Sequence, residues 1–288
     1  MRMRRTHFVA GRAVSLAMFA AMSLPLAVRA QNPDDLLPAD SAAKAKAILQ
    51  QAITAQGGPA YLGVRESDCS ARLAQFDSTG QAGGSLDVHI LRQGSDKTRI
   101  EFHGDNYITN IFYYEVHGKN KIVNVYSGDQ GWSLTKDGVS DLPADAAASY
   151  QEQTKTDVHT ILRYRLNDDS LIFRYGGTEV VDLKQVDWVE IADHEGHTMR
   201  IAIDRASHLP TRSVMSKRDS ETGARTEQST LFSSFHLVDG VQTAYRVSHL
   251  LNGRQVNETF YDRCTYNSGI APETFTRSGL EAQFKKSK

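Results

Sequence analysis

The feature that most constrains the fold is a ladder of alternating residues between Val186 and Tyr266, cut into short runs by turn signals. Val189 and Ile191 alternate with polar or small neighbours up to His194-Glu195-Gly196. Met199, Ile201 and Ile203 resume the pattern and stop at Asp204-Arg205. A third run covers Leu209 to Lys217 and turns at Ser220-Glu221-Thr222-Gly223. A fourth passes through Thr230, Phe232 and Phe235 to Asp239-Gly240. Tyr245, Val247, His249 and Leu251 then reach Asn252-Gly253, the strongest hairpin signal in the chain, and Val256, Glu258 and Phe260 return. Alternation of period two means one buried face and one wet face, whereas a sheet buried on both faces reads as continuously apolar. The stretch is therefore a meander of roughly six antiparallel strands whose apolar face something else must cover.

Upstream, two segments break from strand periodicity and supply that cover. Ala45, Ile48, Leu49, Ala52 and Ile53 fall at helical spacing after Asp40-Ser41, which can cap a helix, and before Gly57-Gly58-Pro59, which can end one. The expected helix spans 41–56. Strands follow over 69–140, with turns at Gly118-Lys119-Asn120, at Ser127-Gly128-Asp129-Gln130-Gly131 and at Asp137-Gly138. Between Leu142 and Asn167 the strand period vanishes, and Val158, Ile161, Leu162, Arg165 and Leu166 share one helical face. This inserted helical lid, 142–167, is expected to lie on the sheet opposite Ile201, Ile203, Val247 and Phe260, with strands again over 170–266. The fold class is mainly β, an antiparallel sheet with an N-terminal helix and a helical insert.

The first residues carry an export signal: Arg2, Arg4 and Arg5, an apolar run from Ala13 to Val28, and small residues Val28 and Ala30 before polar Gln31-Asn32-Pro33-Asp34. A leader cleaved after about Ala30 places residues 31–288, read as a single domain, in the periplasm. The run is too short and its flank too polar for a membrane anchor, and no later stretch is long and apolar enough to span a bilayer, so an integral membrane protein is not expected. The leader holds five arginines and no acid; without it, 28 basic residues face 34 acidic ones, a net charge near −6. That balance argues against nucleic acid as a partner. Two cysteines, Cys69 and Cys264, and no third in an oxidising compartment predict a disulfide. The competing reading is that a simple meander puts the first and last strands at opposite edges, too far apart to bond.

Several short segments resemble LolA-like bacterial periplasmic proteins. They are the helix end Ala55-Gln56-Gly57-Gly58, the turn Tyr126-Ser127-Gly128-Asp129-Gln130-Gly131-Trp132, and the run from Ile203-Asp204-Arg205 to Leu209-Pro210-Thr211-Arg212. Val238-Asp239-Gly240-Val241 and Tyr266-Asn267-Ser268-Gly269-Ile270 with Phe275 complete the set. The resemblance implies a strongly curved, incomplete antiparallel β-barrel with helices over its concave side. It implies a cavity for acyl chains or a hydrophobic protein segment, and functions among lipoprotein carriers, lipid carriers and envelope-stress sensors. The residues alone are also compatible with a solid core in place of a cavity.

Catalytic patterns are sparse. His194-Glu195-Gly196-His197 has a spacing of three with a glycine inside, where a zinc-protease helix needs His at i and i+4. Ser41-Ala42-Ala43-Lys44 has the Ser-x-x-Lys spacing but no Ser-Asp-Asn or Lys-Thr-Gly partner, and Asp168-Asp169 reads as a solvated pair after a helix. No catalytic residue, metal ligand or cofactor is assigned. The expected function is a periplasmic, non-enzymatic binder or carrier of a hydrophobic small molecule, lipid or acylated protein. The alternatives are a regulatory protein with an envelope protein partner, and a hydrolase with an unrecognised site. Cavity candidates are Trp132, Trp188, Ile201, Ile203, Val247, Phe260, Val158, Ile161 and Leu162.

Overall fold

The computed structural model describes residues 36–104, 107–111, 114–118, 121–194, 196–218, 223 and 225–286, with the backbone alone for 107–111 and 114–118. Residues 1–35, where the export signal is expected, most of the Gly118–Asn120 turn, Glu195 and most of the Ser220–Gly223 turn lie outside the described residues. Before the insert come β1 (Glu66–Phe76), β2 (Ala82–Gln93), β3 (Lys97–His103), β4 (Tyr107–Ile111), β5 (Tyr114–Gly118), β6 (Ile122–Ser127), β7 (Gln130–Thr135) and β8 (Gly138–Asp141). After it come β9 (Leu171–Val181), β10 (Lys184–Asp193), β11 (Thr198–Asp204), β12 (Pro210–Arg218), β13 (Arg225–Val238), β14 (Val241–Leu251) and β15 (Arg254–Tyr266). Among the described residues, strands β4 and β5 form a separate two-stranded sheet.

The other strands form one open, 13-stranded antiparallel sheet in the order β8-β7-β6-β3-β2-β1-β15-β14-β13-β12-β11-β10-β9. The first and last strands are neighbours in the middle of this sheet. The simple-meander expectation that they sit at opposite edges is therefore corrected: the edges are β8 and β9, consecutive in sequence. The connection between them is the helical insert: one long helix (Ala144–Lys155), a single turn (Val158–Thr160) capped by the Asp157 carboxylate, and a π-helical turn (Ile161–Arg165). Cys69 and Cys264 are direct cross-strand partners of β1 and β15 and are joined by a disulfide, with Cα atoms 4.2 Å apart.

At the N-terminal side, α1 spans Pro38–Ala55 and α2 spans Pro59–Leu62; the insert helices are α3 (Ala144–Lys155) and α4 (Val158–Thr160). Helix α1 starts earlier than its sequence signal. Pro38 occupies the first turn, where a missing N–H costs nothing, and Asp40 and Ser41 lie inside the helix. The Ser41 hydroxyl instead accepts the Tyr175 backbone N–H of β9 at 3.0 Å, and Lys44, one turn on, holds its ammonium 3.7 Å from the Tyr175 ring centre. The Ser-x-x-Lys spacing thus serves to dock a helix on a strand.

One face of the sheet, here the inner face, packs against α1, α3 and α4. Ala45, Leu49, Ala52 and Ile53 of α1 meet Phe173, Val189, Ile191, Ile201 and Ile203, together with Val158, Ile161 and Leu162 from the insert. Farther along, Leu73, Val88, Ile90, Ile100, Phe102, Ile122 and Tyr126 meet Tyr150 of α3. The outer face is also partly buried, under a C-terminal 3-10 turn (Pro272–Phe275) and α5 (Arg277–Lys286), whose Phe275 and Leu280 cover Leu91, Val123, Val125 and Leu134. That helix has no counterpart among the sequence expectations, which placed no element after the strands of 170–266.

Three of the resembling segments converge on one corner. Gly57 ends α1 at φ +125°, and a Cβ there would lie 2.2 Å from the carbonyl oxygen of Gly240. Gln242 N–H donates to the Gln56 carbonyl at 2.9 Å. The Tyr266 N–H donates to Asp239, and Asn267 Oδ1 accepts the backbone N–H groups of Arg65 and Glu66 at 2.7 and 3.2 Å. Asp239-Gly240 and Asn252-Gly253 both have positive φ at their two turn positions, as two-residue hairpins of right-handed twist require.

Candidate ligand-binding cavity

Between the insert and the inner face lies a cavity of about 460 Å³, within the range of roughly 300–1,000 Å³ that holds one small ligand. Its floor comes from β1–β3 and β11–β15, its roof from α2, α3, α4 and the π-helical turn. Arg92 on β2 and Met199 on β11 both line it, though six strand steps separate them in the sheet. On a flat sheet those steps would span about 29 Å, at roughly 4.8 Å each. A single small cavity touching both therefore requires a strongly curled sheet, which is also what thirteen strands are expected to form.

The lining divides by strand. Met215 on β12, Phe232 on β13 and Val247 on β14 present apolar surface, and the disulfide sulfurs belong to the floor. Arg92 and Tyr261, on β2 and β15, and Tyr150 from α3 present polar groups. The Tyr150 hydroxyl bonds Thr98 Oγ1 at 2.5 Å, and its ring stacks on Tyr126 with centroids 4.0 Å apart. Tyr61 of α2 bonds His159 Nδ1 at 3.0 Å, with the Arg163 guanidinium 4.3 Å from the tyrosine ring centre. His249 Nδ1 meets Thr230 Oγ1 at 3.1 Å.

Burial sets the protonation of these groups. It pushes the His159 imidazole down to about 4; the Asp157 carboxylate opposes this, while Arg163 and Arg92 act with it. His249 is likewise pushed down to about 4 by burial, against Asp157 and with Arg92. The hydroxyls of Tyr61, Tyr150 and Tyr266 are raised by burial. Burial works against the Arg92 charge, but the Tyr261 and Tyr150 oxygens and Asp157 outweigh it and raise the pKa of the guanidinium. At neutral pH His159 and His249 are thus neutral imidazoles, Tyr61, Tyr150 and Tyr266 neutral phenols, and Arg92 charged.

No protein-family model and no curated protein matches the sequence. Solved structures do. A LolA superfamily protein from Nitrosomonas europaea superposes with a TM-score of 0.53 at 10% identity, covering 82% of this chain and 99% of that one. The fold is LolA-like. A domain named for outer membrane lipoprotein sorting, from Vibrio parahaemolyticus, gives 0.55 at 12% identity over 83% and 99% of the two chains. A DUF1329 family protein from Desulfovibrio piger gives 0.56 at 12% identity over the same shares. At these identities the likeness is one of fold.

Within this LolA-like fold, Val247 of the sequence candidates lines the cavity. Val158, Ile161, Leu162, Ile201 and Ile203 are buried together beside it, between the insert, α1 and the sheet. Trp132, Trp188 and Phe260 are corrected to the outer face. Trp132 packs with the cluster under α5. Trp188 packs on Val186 and Ala202, donates its indole N–H to Glu179 at 2.8 Å and lies under Arg200. Trp188 shares its parity with Val186, on the strand face opposite Val189 and Ile191, which turn inward; the register shift of the β9–β10 pair places its extra residue at Gly176 of β9. Phe260 is 38% exposed beside Arg246; its neighbour Tyr261 takes the inward place.

Of the remaining motif residues, His197 bonds Asp193 at 2.8 Å and Glu152 of α3 at 3.1 Å, and Glu152 also pairs with Lys217 at 2.7 Å. The turn thus ties the lid to β12. No group of three or more His, Cys, Asp or Glu suited to a metal occurs among the described residues. Asp168 caps the turn after the insert, accepting from Arg165 and from the Ser170 N–H. Cavity residues absent from the candidates include the apolar Met215 and Phe232 and the polar Arg92, Tyr61, Tyr150, His159, His249 and Tyr261. For Arg92 the signal existed: Leu86, Val88, Ile90 and Arg92 keep one parity, so the arginine continues a buried face.

Proposed function

We propose that the chain is a periplasmic, non-enzymatic binder or carrier of a hydrophobic ligand: a lipid, an acyl chain or an acylated protein. The observation that carries this reading is the cavity of about 460 Å³ between the inner sheet face and the insert. Met215, Phe232 and Val247 are the surface on which the chain of such a ligand rests. Burying a methylene contributes about 0.8 kcal/mol, so a single acyl chain supplies most of the affinity a carrier needs. The LolA superfamily likeness supports the reading through the fold, and the export signal supports the compartment. No helix of the described residues is long and apolar enough to cross a membrane.

The test is co-purification. Protein prepared from membrane-containing extract and sprayed under native conditions should carry an adduct of lipid mass, and should bind a fluorescent fatty acid with one-to-one stoichiometry. Repeated absence of the adduct, together with no fatty-acid binding, overturns the reading.

A further inference from the structure

The cavity has a charge pattern that a purely apolar ligand leaves unexplained. Five arginine and lysine side chains line it against two carboxylates, Glu66 and Asp157, in a chain whose net charge is −1. Both carboxylates are committed to N–H donors. Glu66 accepts from the Gly269 and Ile270 backbone at 2.9 Å each and from Gln93 at 3.0 Å. Asp157 accepts from the His159 and Thr160 backbone at 2.9 and 3.1 Å as the cap of α4.

The cations differ in what they meet. Arg65 and Arg254 are exposed and donate to the Leu62 and Asp77 carbonyls. Lys97 donates to Gln93, and Arg163 lies on the Tyr61 ring. Arg92 comes up through the apolar floor, after Leu86, Val88 and Ile90, and meets the Tyr261 hydroxyl. Among the described residues no carboxylate pairs with it. Arg92 is partly buried and feels the Asp157 carboxylate without an ion pair to it, so its planar fork of donors, which matches carboxylate and phosphate oxygens, is left for a ligand.

We infer that the cavity takes a single-chain amphiphile with one anionic head group, a carboxylate or a phosphate. The head sits on Arg92 beside Tyr261, and the chain lies among Met215, Phe232 and Val247. This rests on the carrier reading above. Cavity size limits the ligand to about one chain, and the fork of Arg92 selects the head. With His159 and His249 neutral, the field at the head group comes from Arg92 and Arg163, opposed by Asp157.

The test compares three ligands of one chain length, dodecanoate, dodecyl phosphate and dodecanol, by calorimetric titration of the mature protein at pH 8, below micelle formation. The wild type should bind at least one anion about tenfold or more tightly than the alcohol, and the tighter of the two anions names the source of the head group. Arg92→Gln should abolish the preference while leaving dodecanol affinity within about twofold, which also shows that the variant is folded; Arg92→Lys should restore part of it. Equal affinity for all three in the wild type overturns the head-group inference and leaves the carrier reading standing. A preference that survives in Arg92→Gln overturns the assignment to Arg92. Binding of none of the three, dodecanol included, overturns both readings.

Discussion

Removing the Cys69–Cys264 bridge should cost this fold more than a bridge of ordinary span. The two residues are 195 positions apart in sequence, so the bond closes a loop of most of the chain. In the loop-entropy treatment a closure of that length restrains the unfolded chain by about 5 kcal/mol at 25 °C. That figure is an upper bound, because a denatured chain is more compact than the treatment assumes. A loss of about 3–5 kcal/mol is expected for Cys69→Ala/Cys264→Ala. At about 2–4 °C per kcal/mol for a chain of this size, the melting temperature should fall by roughly 10 °C. Both cysteines are 4% exposed, so reductant should act slowly on the native protein and quickly in urea. The assay is urea unfolding of the oxidised, the reduced and the double-alanine proteins. The reduced protein keeps both sulfurs and separates the cross-link from packing. Because the cross-link acts on the unfolded state, its loss should steepen the dependence of stability on urea. A midpoint shift with unchanged slope, or a melting temperature within about 2 °C of the oxidised protein, refutes the reasoning.

Two further outcomes follow from the geometry. Gly57→Ala should lose about 3 kcal/mol or more in urea unfolding, since its Cβ would meet the Gly240 carbonyl oxygen at 2.2 Å with φ at +125°; Gly253→Ala, at φ +78° in open space, should lose about 1 kcal/mol. Stability should also fall as pH drops from 7 to 5. His159 and His249 titrate near 4 in the folded chain against an ordinary value of 6.5, so the unfolded chain takes up protons that the folded one refuses. At pH 5 this amounts to at most about 2 kcal/mol per histidine. Urea midpoints at the two pH values should converge in His159→Gln/His249→Gln. The lowered carboxyls of Glu152, Glu258 and Asp204 add their own losses only as pH falls through the carboxylate range.

The sequence shows its strands plainly because alternation is a local property. The hairpin at Asn252-Gly253 and the turn at Asp239-Gly240 sit where their dipeptides predict. Which parity faces the helices is not local. Strand β6 buries Ile122 and Tyr126 on one face and Val123 and Val125 on the other, so its composition marks neither as inner. A bulge adds to the ambiguity: the extra residue Asp262 of β15, opposite Ser70/Ala71, gives Tyr261, not Phe260, the cavity side. The outer-face helix α5 escapes notice because a helix pinned by Leu280, with Phe275 just before it, leaves almost no periodic signal.

The order of the sheet explains why the insert, and no other connection, forms the roof. Every neighbouring pair except β1–β15 and β3–β6 is consecutive in sequence, and the single break lies between β8 and β9. The chain must cross that gap, and 142–170 is the segment that does so. Its helices are therefore anchored at both sheet edges while contributing no strand to the ladder. The bonds that hold the insert down are side-chain bonds, such as Glu152 with Lys217 and His197, and apolar contacts of Val158, Ile161 and Leu162. Displacing the roof would break those contacts without breaking a strand pair. The ladder is a continuous set of backbone hydrogen bonds, whereas partly exposed ion pairs contribute little each. Under the carrier reading, ligand entry therefore costs mainly the apolar seat of α4 and its π-helical extension, and the sheet with its central disulfide stays intact.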